Sequence, residues 1–208
     1  IWQQGLTRPE KGKRVPKTMD WELFVGPAQW REYHPTYHPW NWRGWWDFGT
    51  GALGDMGCHI LDPVFKALKL EYPKSVEGSS TPFNNDSAPN AELVKYEFDR
   101  RDNLPKVAMP PVTVNWYDGG FMPPRPDELE DGEQMGDESG GCVFYGSKGK
   151  IMCGTYAANP TLLPTKEMAH FEEPQKLIRR IAVAMDGGHE QDWIRACKES
   201  PASRVEAS

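Results

Sequence analysis

The stretch from residue 47 to residue 62 constrains the fold more than any other part of the chain. It reads DFGTGALGDMGCHILD. Gly49 and Gly51 lead into a run whose apolar residues recur with the helical period, which predicts a helix over about 51–69. Pro63 should kink this helix about one turn earlier, because proline removes a backbone donor. The apolar stripe consists of Ala52, Met56, Ile60, Val64 and Leu68. Such a stripe predicts that the helix packs against a sheet.

A second stripe of the same helix is polar and contains Asp55, His59 and Asp62. Residues one turn apart face the same side of a helix, so the carboxylate and the imidazole should lie together. Three interpretations fit this pair. It could perform general acid–base chemistry, it could bind a metal with His34 or His38 from the preceding loop, or it could be a purely structural pair. The metal interpretation is the weaker chemical one, because a proline-containing loop is a poor platform for metal ligands.

The glycines of this segment need an explanation of their own. Gly49, Gly51, Gly54 and Gly57 are unfavourable in or beside a helix. Their presence predicts that some other group approaches the backbone closely. No G-x-G-x-x-G segment follows a predicted strand, so we expect no dinucleotide-binding residues in this chain.

Composition excludes several classes of function. The chain has 208 residues and a formal net charge of −6, which argues against binding to nucleic acid through phosphate contacts. No apolar run is long enough to span a bilayer. The four cysteines contain no CxxC pair, and no HExxH motif is present, so no dedicated metal site is predicted.

Tryptophan is unusually frequent just before the Asp55–His59 helix. The chain has nine tryptophans, five of which lie within residues 30–46. Indole rings can fill a core, or they can form a wall for the C–H face of a sugar ring. The candidate substrate-binding residues are Arg43, Trp42, Trp45, Trp46 and Asp62.

The rest of the chain has the pattern of short strands separated by turns. Strands are predicted at Ser75–Ser80, Ala91–Phe98, Val112–Tyr117, Gly141–Tyr145 and Lys150–Cys153, with a later helix over about 189–198. A helix followed by consecutive hairpin-connected strands indicates the α+β class. We therefore predict an open-faced, mostly antiparallel sheet with helices packed on one face.

Several motifs together resemble the Gfo/Idh/MocA oxidoreductases, the relatives of glucose–fructose oxidoreductase and inositol dehydrogenase. The segment from Gly49 to Asp62 is similar to the family's glycine-rich D-x-G-x-H-x-x-D motif. The segment DWELFVGPA at 20–28 is similar to its D-W-x-x-W-L-G-P-A motif. The hairpin at 145–151 and the helix at 190–197 also match, so the resemblance runs over about residues 1–200.

The resemblance implies a function and roles for particular residues. The intact protein would be an NAD(P)-dependent dehydrogenase acting on a hydroxyl or carbonyl of a sugar or polyol. His59 would transfer the proton or orient the substrate, with Asp55 as its partner. The family's catalytic lysine lies in an E-K-P motif that this chain lacks, since Pro9, Glu10 and Lys11 stand in another order. By itself, the chain is therefore expected to be inactive.

The resemblance also implies a domain organisation. Residues 1–208 would be one C-terminal substrate-binding and oligomerisation domain, a fragment of a longer chain with an N-terminal Rossmann domain that binds NAD or NADP. The exposed face of the sheet would contact a second copy in a homo-oligomer. Two other functions remain open, namely an NAD-dependent glycoside-cleaving enzyme that works by oxidation and elimination, and a non-catalytic carbohydrate-binding module.

Overall fold

A computed structural model describes residues 4–102, 109–175 and 188–198. The first helix, α1, spans Trp21–Val25. Asp20 caps it, because its Oδ1 accepts the Leu23 N–H at 3.1 Å, and Gly26 follows its last residue. A capping carboxylate satisfies one of the free N–H groups at a helix start. Both the Asp20 cap and the stop at Gly26 follow from the sequence pattern.

The predicted long helix is two helices. Helix α2 spans Gly51–Ile60 and helix α3 spans Asp62–Leu68, with Leu61 between them. Proline has no N–H to offer the His59 carbonyl, so it is tolerated where a new helix begins and not in the middle of an old one. The sequence predicts that Pro63 kinks one long helix, whereas in the structure one helix ends at Ile60 and another begins at Asp62.

The first sheet is antiparallel with the order β1–β2–β3, formed by Ser75–Ser80, Glu92–Phe98 and Val112–Tyr117. All three strands were predicted from the sequence, within one residue at each end. Helix α2 covers one face of this sheet, where Met56 packs with Val94 and Trp116. Helix α3 covers the same face through Val64 and Phe98. The opposite face carries Lys95 and Glu97, which form an ion pair of 2.6 Å, and it has no helix packed on it among the described residues.

The second sheet is also antiparallel, with the order β4–β5–β6, formed by Gly141–Gly146, Gly149–Gly154 and Thr161–Leu163. The short strand β6 was not predicted. The α+β class and the antiparallel pairing are confirmed, whereas the described strands form two three-stranded sheets in place of one. Cys142 and Phe144 of β4 pack in the same apolar cluster as Val112 and Val114 of β3. The two sheets therefore share a core. They are not one continuous sheet, because β3 and β4, which are separated by a 23-residue connection, do not pair through backbone hydrogen bonds.

Cys142 and Cys153 are directly opposite each other on β4 and β5, and both thiols are free. Burial, with the Cys153 thiol beside it, raises the pKa of Cys142 to about 12. Because the thiolate is the reactive form of cysteine, we expect the Cys142 thiol to be unreactive near neutral pH. Cys153 is buried and Cys142 is partly buried, and the Cys142 Sγ donates to the Ile60 carbonyl of α2 at 3.1 Å.

An aromatic core surrounds α1 and the loop that precedes α2. Trp45 has no exposed surface, and its Nε1 donates to the Thr36 carbonyl at 3.0 Å. The Tyr37 ring lies 4.7 Å from it, edge to face. The other buried members of this core are Trp21, Val25 and Tyr33. The loop is therefore held by its own aromatic residues.

The compact unit containing these elements covers residues 1–168, and residues 169–208 form a second unit. In the second unit, helix α4 spans Gly188–Lys198, which confirms the predicted late helix. The assignment of residues 1–208 to one domain stays a prediction. Among the described residues, no helix is both long enough and apolar enough to cross a membrane.

An acid pair lies where β2 begins and β3 ends. Asp118 accepts the Glu92 N–H at 2.8 Å through Oδ1 and the Trp116 Nε1 at 2.8 Å through Oδ2. Burial, reinforced by the neighbouring Asp118 carboxylate, raises the pKa of Glu92 from 4.5 to about 7. Between about pH 4.5 and 7, the folded protein therefore favours the protonated form of Glu92, whereas the unfolded chain favours the charged form.

Replacing Trp45 with alanine should destabilise the first unit by about 3–5 kcal/mol, because it opens a large cavity and leaves the Thr36 carbonyl without its donor. Urea unfolding followed by circular dichroism measures this change. The matched control is Trp30→Ala, since Trp30 is 63% exposed and should shift the free energy of unfolding by about 0.5 kcal/mol or less. Equal effects of the two variants would contradict the assignment of Trp45 to the core.

Protonation of Glu92 should make stability depend on pH. The contribution of Glu92 protonation to the free energy of unfolding is complete below about pH 4.5. It is lost as the pH rises through about 7, because only the folded state keeps the proton in that window. Glu92→Gln should remove this decline and should be more stable than the wild type above pH 7. The free energy of unfolding, measured by urea titration across the window, tests this. Glu77→Gln, at an exposed position of β1, should leave the slope unchanged, and an unaltered slope in Glu92→Gln would refute the prediction.

Candidate functional site

Asp55 and His59 lie one turn apart at the surface of α2. The Asp55 side chain is 30% exposed, and His59 is exposed. Met56 and Ile60, on another side of the helix, pack into the core with the first sheet. Asp55 and His59 therefore project from a helix that is fixed by the packing of Met56 and Ile60 against the first sheet.

Arg43 joins the preceding loop to this platform. Its Nε lies 3.5 Å from Asp55 Oδ2, and its Nη1 donates to the Trp40 carbonyl at 3.4 Å. The guanidinium carbon lies 4.3 Å from the centre of the Trp40 ring and 4.4 Å from that of Trp42. Cation–π contacts of this kind favour a fixed guanidinium. The Arg43–Asp55 pair thus forms a polar contact bordered by two indoles.

The close approach predicted from the glycines is found at Gly49. A Cβ at this position would lie 2.4 Å from the Arg43 carbonyl oxygen and 2.6 Å from its Cα. Arg43 belongs to a 3₁₀ helix at Asn41–Gly44, which the sequence analysis did not predict. The group that needs the glycine is therefore the protein's own loop, and the contact brings Arg43 to Asp55.

The start of α2 is closed by the chain itself. Gln4 Oε1 accepts the Ala52 N–H at 2.7 Å. Gly51 has a φ of 70°, and a Cβ there would lie 2.7 Å from the Ala88 Cβ. A dinucleotide phosphate bound at a helix start needs free N–H groups and open space. This glycine-rich segment therefore does not fit the pyrophosphate of NAD(P).

His59 has a neighbour that the sequence analysis missed. The Tyr156 ring lies 5.1 Å from the imidazole centre at an angle of 68°. Within the described ranges, no hydrogen bond joins Asp55 to His59. The structure therefore brings Asp55 to Arg43 and His59 to Tyr156, in place of the direct Asp55–His59 pairing that the helical spacing suggests.

Asp62 lies on another surface feature. It lines an open depression together with Gly57, Cys58, Leu61 and Phe65. His59 does not line this depression. Asp62 is the first residue of α3, and Leu61, which joins the two helices, keeps a right-handed helical conformation.

The three tryptophans considered for substrate contact have different environments. Trp45 is fully buried and belongs to the core, so a substrate cannot reach it. Trp42 is partly buried against Arg43. Trp46 is 46% exposed, and its backbone N–H donates to the Asp86 carbonyl at 3.0 Å. Of the three, Trp42 is the one in contact with the Arg43–Asp55 pair.

The loop histidines have structural neighbours. His34 Nδ1 accepts the Thr36 N–H at 3.2 Å, and the His38 ring packs edge to face on Phe24 at 5.1 Å. In the part of the chain that the structure describes, no three His, Cys, Asp or Glu side chains come together as a metal-binding group. The metal interpretation of Asp55 and His59 therefore has no ligand set among those residues.

Two site residues escaped the sequence analysis for different reasons. Trp40 stands three positions before Arg43, a spacing that places side chains over one another in a 3₁₀ helix. This spacing was a usable signal. Tyr156 comes from a segment nearly one hundred residues after His59, and no local pattern links the two.

Comparison with known proteins identifies the segment that carries this site. Residues 2–103 match the model of the oxidoreductase family C-terminal alpha/beta domain. The match covers about half of the chain and contains Arg43, Asp55 and His59. No curated protein matches the chain. Through residues 2–103, the chain therefore belongs to the Gfo/Idh/MocA oxidoreductase family and carries the C-terminal domain of that family.

Proposed function

We propose that the protein containing this chain is an NAD(P)-dependent oxidoreductase acting on a hydroxyl or carbonyl carbon of a sugar or polyol. The chain supplies the substrate side of the active site. The observation that carries the proposal is the arrangement on α2, where the Arg43–Asp55 pair and His59 stand one turn apart at an aromatic surface.

The chemistry of these side chains suits a polyhydroxylated substrate. The Asp55 carboxylate can accept a hydrogen bond from one hydroxyl, while the Arg43 guanidinium donates to another. Trp40 and Trp42 hold the guanidinium in place and offer indole surface for C–H groups. Fixing neighbouring hydroxyls in this way orients the carbon that reacts.

His59 is the proposed proton-transfer residue. When the substrate alcohol is oxidised, the imidazole takes the hydroxyl proton as the carbonyl forms, and it returns that proton in the reverse reaction. The nicotinamide supplies hydride chemistry when it is bound. Arg43 and Asp55 keep the substrate oxygen oriented toward the imidazole.

The cofactor-binding part lies outside these residues in this proposal. Members of the family generally use NAD(P). The start of α2 is filled by Gln4, and the G-x-G-x-x-G run at 49–54 follows a 3₁₀ helix and a turn in place of a strand, so a separate Rossmann domain would bind the dinucleotide. The described residues 4–102 would then form the opposite wall of the active site.

We further propose that the free face of the first sheet contacts a second copy of the chain. This face carries polar side chains from all three strands, and it lies opposite α2 and α3. It displays the Lys95–Glu97 ion pair, and on the same face Tyr117 of β3 lies opposite Leu93 of β2. A mixed polar and aromatic sheet face of this kind is suited to a two-fold interface.

Replacing the proposed proton-transfer residue should reduce turnover much more than it reduces stability. In the intact protein, His59→Ala should lower kcat by about 10²–10⁴-fold, the usual contribution of general acid–base catalysis. Asp55→Asn should lower kcat/KM, because it weakens the contact with Arg43 and with the substrate. Initial rates of NADH or NADPH formation with a panel of sugars and polyols measure both effects.

The controls are chosen from exposed positions that carry the same residue types. His170→Ala and Asp131→Asn should retain wild-type rates. Normal turnover in both His59→Ala and Asp55→Asn would overturn the site assignment. If the wild-type protein supports no NAD(P)-dependent turnover of any sugar or polyol, the proposed function itself is wrong.

The proposed subunit contact predicts a change in mass when a residue of the free face is altered. Asn115 is exposed on the free face, so Asn115→Arg should place two like charges close together in a symmetric contact and should shift the protein toward monomer. Size-exclusion chromatography with light scattering gives the mass. Glu71→Arg, which lies outside the sheet, should leave the mass unchanged. A monomeric wild type would refute the proposed contact.

A further inference from the structure

Tyr156 adopts a backbone conformation that needs a reason. It has a φ of 58° and a ψ of 28°, and Ala157 and Asn159 also have positive φ values of 58° and 47°. The left-handed region is unfavourable for residues with a side chain, because the Cβ comes too close to the carbonyl oxygen. Tyr156 is nevertheless 66% exposed, so burial of its ring does not compensate for this cost.

An acid side chain and a backbone contact hold the Tyr156 segment. Asp137 Oδ2 accepts the Thr155 N–H at 2.7 Å, and its Oδ1 accepts the Thr155 hydroxyl at 2.9 Å. The Gly154 N–H donates to the Ala158 carbonyl at 2.8 Å. Thr155 is 2% exposed, which anchors the residue before the tyrosine in the protein. The turn is therefore rigidly attached on both sides of Tyr156.

Asp137 is itself fixed. Burial opposes its charged form, but hydrogen bonds from Ser139, Thr155 and Gly140 outweigh that effect and hold the pKa of Asp137 below its usual value. The anchoring carboxylate can therefore accept all of these hydrogen bonds at neutral pH. Strained residues held by their surroundings in this way occur frequently at binding and catalytic sites.

The strained turn places the Tyr156 ring next to the proposed proton-transfer residue. The ring meets the His59 imidazole edge to face at 5.1 Å, and the phenol oxygen makes no hydrogen bond with another described residue. At the other end of the polar row, Trp40 and Trp42 border Arg43. The row formed by Arg43, Asp55 and His59 therefore has aromatic surface at both ends.

We propose that Tyr156 is a substrate-binding residue of this site and that its ring selects cyclic sugars or cyclitols over open-chain polyols. This inference rests on the proposed function. A six-membered ring presents a flat set of C–H groups that can pack on a tyrosine ring while its hydroxyls meet His59 and Asp55. An open-chain polyol lacks that flat face and must lose more rotational freedom when it is bound.

The test compares myo-inositol with D-glucitol, which have the same numbers of carbons and hydroxyls and differ in ring closure. Binding of each to the intact protein is measured by calorimetry with NAD⁺ or NADP⁺ present, and kcat and KM are measured separately. The wild type should bind myo-inositol more tightly. Tyr156→Ala should weaken this binding by about 3- to 10-fold and leave binding of D-glucitol nearly unchanged. The change should appear mainly in KM.

Further variants distinguish the contribution of the Tyr156 ring to this preference from the contributions of its hydroxyl and of its backbone conformation. Tyr156→Phe should retain the preference for the cyclic substrate, whereas Tyr156→Asn, whose side chain tolerates the left-handed conformation, should lose it as the alanine variant does. Tyr72→Ala is the control, because Tyr72 is 94% exposed and lies on another segment. Unfolding midpoints of all variants establish that they are folded.

The outcomes distinguish this inference from the proposed function. If His59→Ala abolishes turnover while Tyr156→Ala behaves like Tyr72→Ala with both probes, the inference is wrong and the proposed function stands. If Tyr156→Phe loses the preference as the alanine variant does, the hydroxyl and not the ring makes the contact, and the stacking proposal is wrong. If the wild type neither binds nor oxidises either probe or any other sugar, both proposals fail.

Discussion

The contact between Gly49 and the Arg43 backbone sets the arrangement of the site. Without a Cβ at Gly49, the chain turns back on itself directly before α2, and the Gly49 N–H donates to the Trp45 carbonyl at 2.7 Å. This turn has two consequences for adjacent parts of the loop. Trp45 enters the core, and Arg43 comes within 3.5 Å of Asp55. The close approach of two backbone segments thereby links the aromatic core to the polar surface of the helix.

The tryptophans of the loop before α2 have two different roles, and composition alone does not show which tryptophan has which role. Trp45 and Tyr37 fill the core, and the Trp45 indole N–H is satisfied by a backbone carbonyl. Trp40 and Trp42, only a few positions earlier, remain partly accessible and hold the Arg43 guanidinium. A buried indole stabilises the loop, and that stability keeps the accessible indoles and the arginine in one geometry. The core and the proposed substrate surface thus depend on the same segment.

The secondary structure was largely predictable, because it depends on local signals. The predicted strands at Gly141–Tyr145 and Lys150–Cys153 left only a short turn between them, which marked the hairpin between β4 and β5. The division of the long helix at Leu61 follows from the missing N–H of Pro63. Less predictable were the separation of the strands into two sheets and the short strand β6. Both depend on pairing between distant segments, which periodicity does not report.

The residue pattern at 47–62 was enough to predict a helix with Asp55 and His59 at its surface and a close neighbour beside the glycines that precede it. Periodicity and residue size are local properties, so they can be recognised without a structure. What each of these groups contacts follows from the fold. Arg43 fills the space beside Gly49, Trp45 is buried, Asp62 lines a surface depression, and Tyr156 lies next to His59. These outcomes depend on which distant segments pack together, and that is decided by the packing of the whole unit.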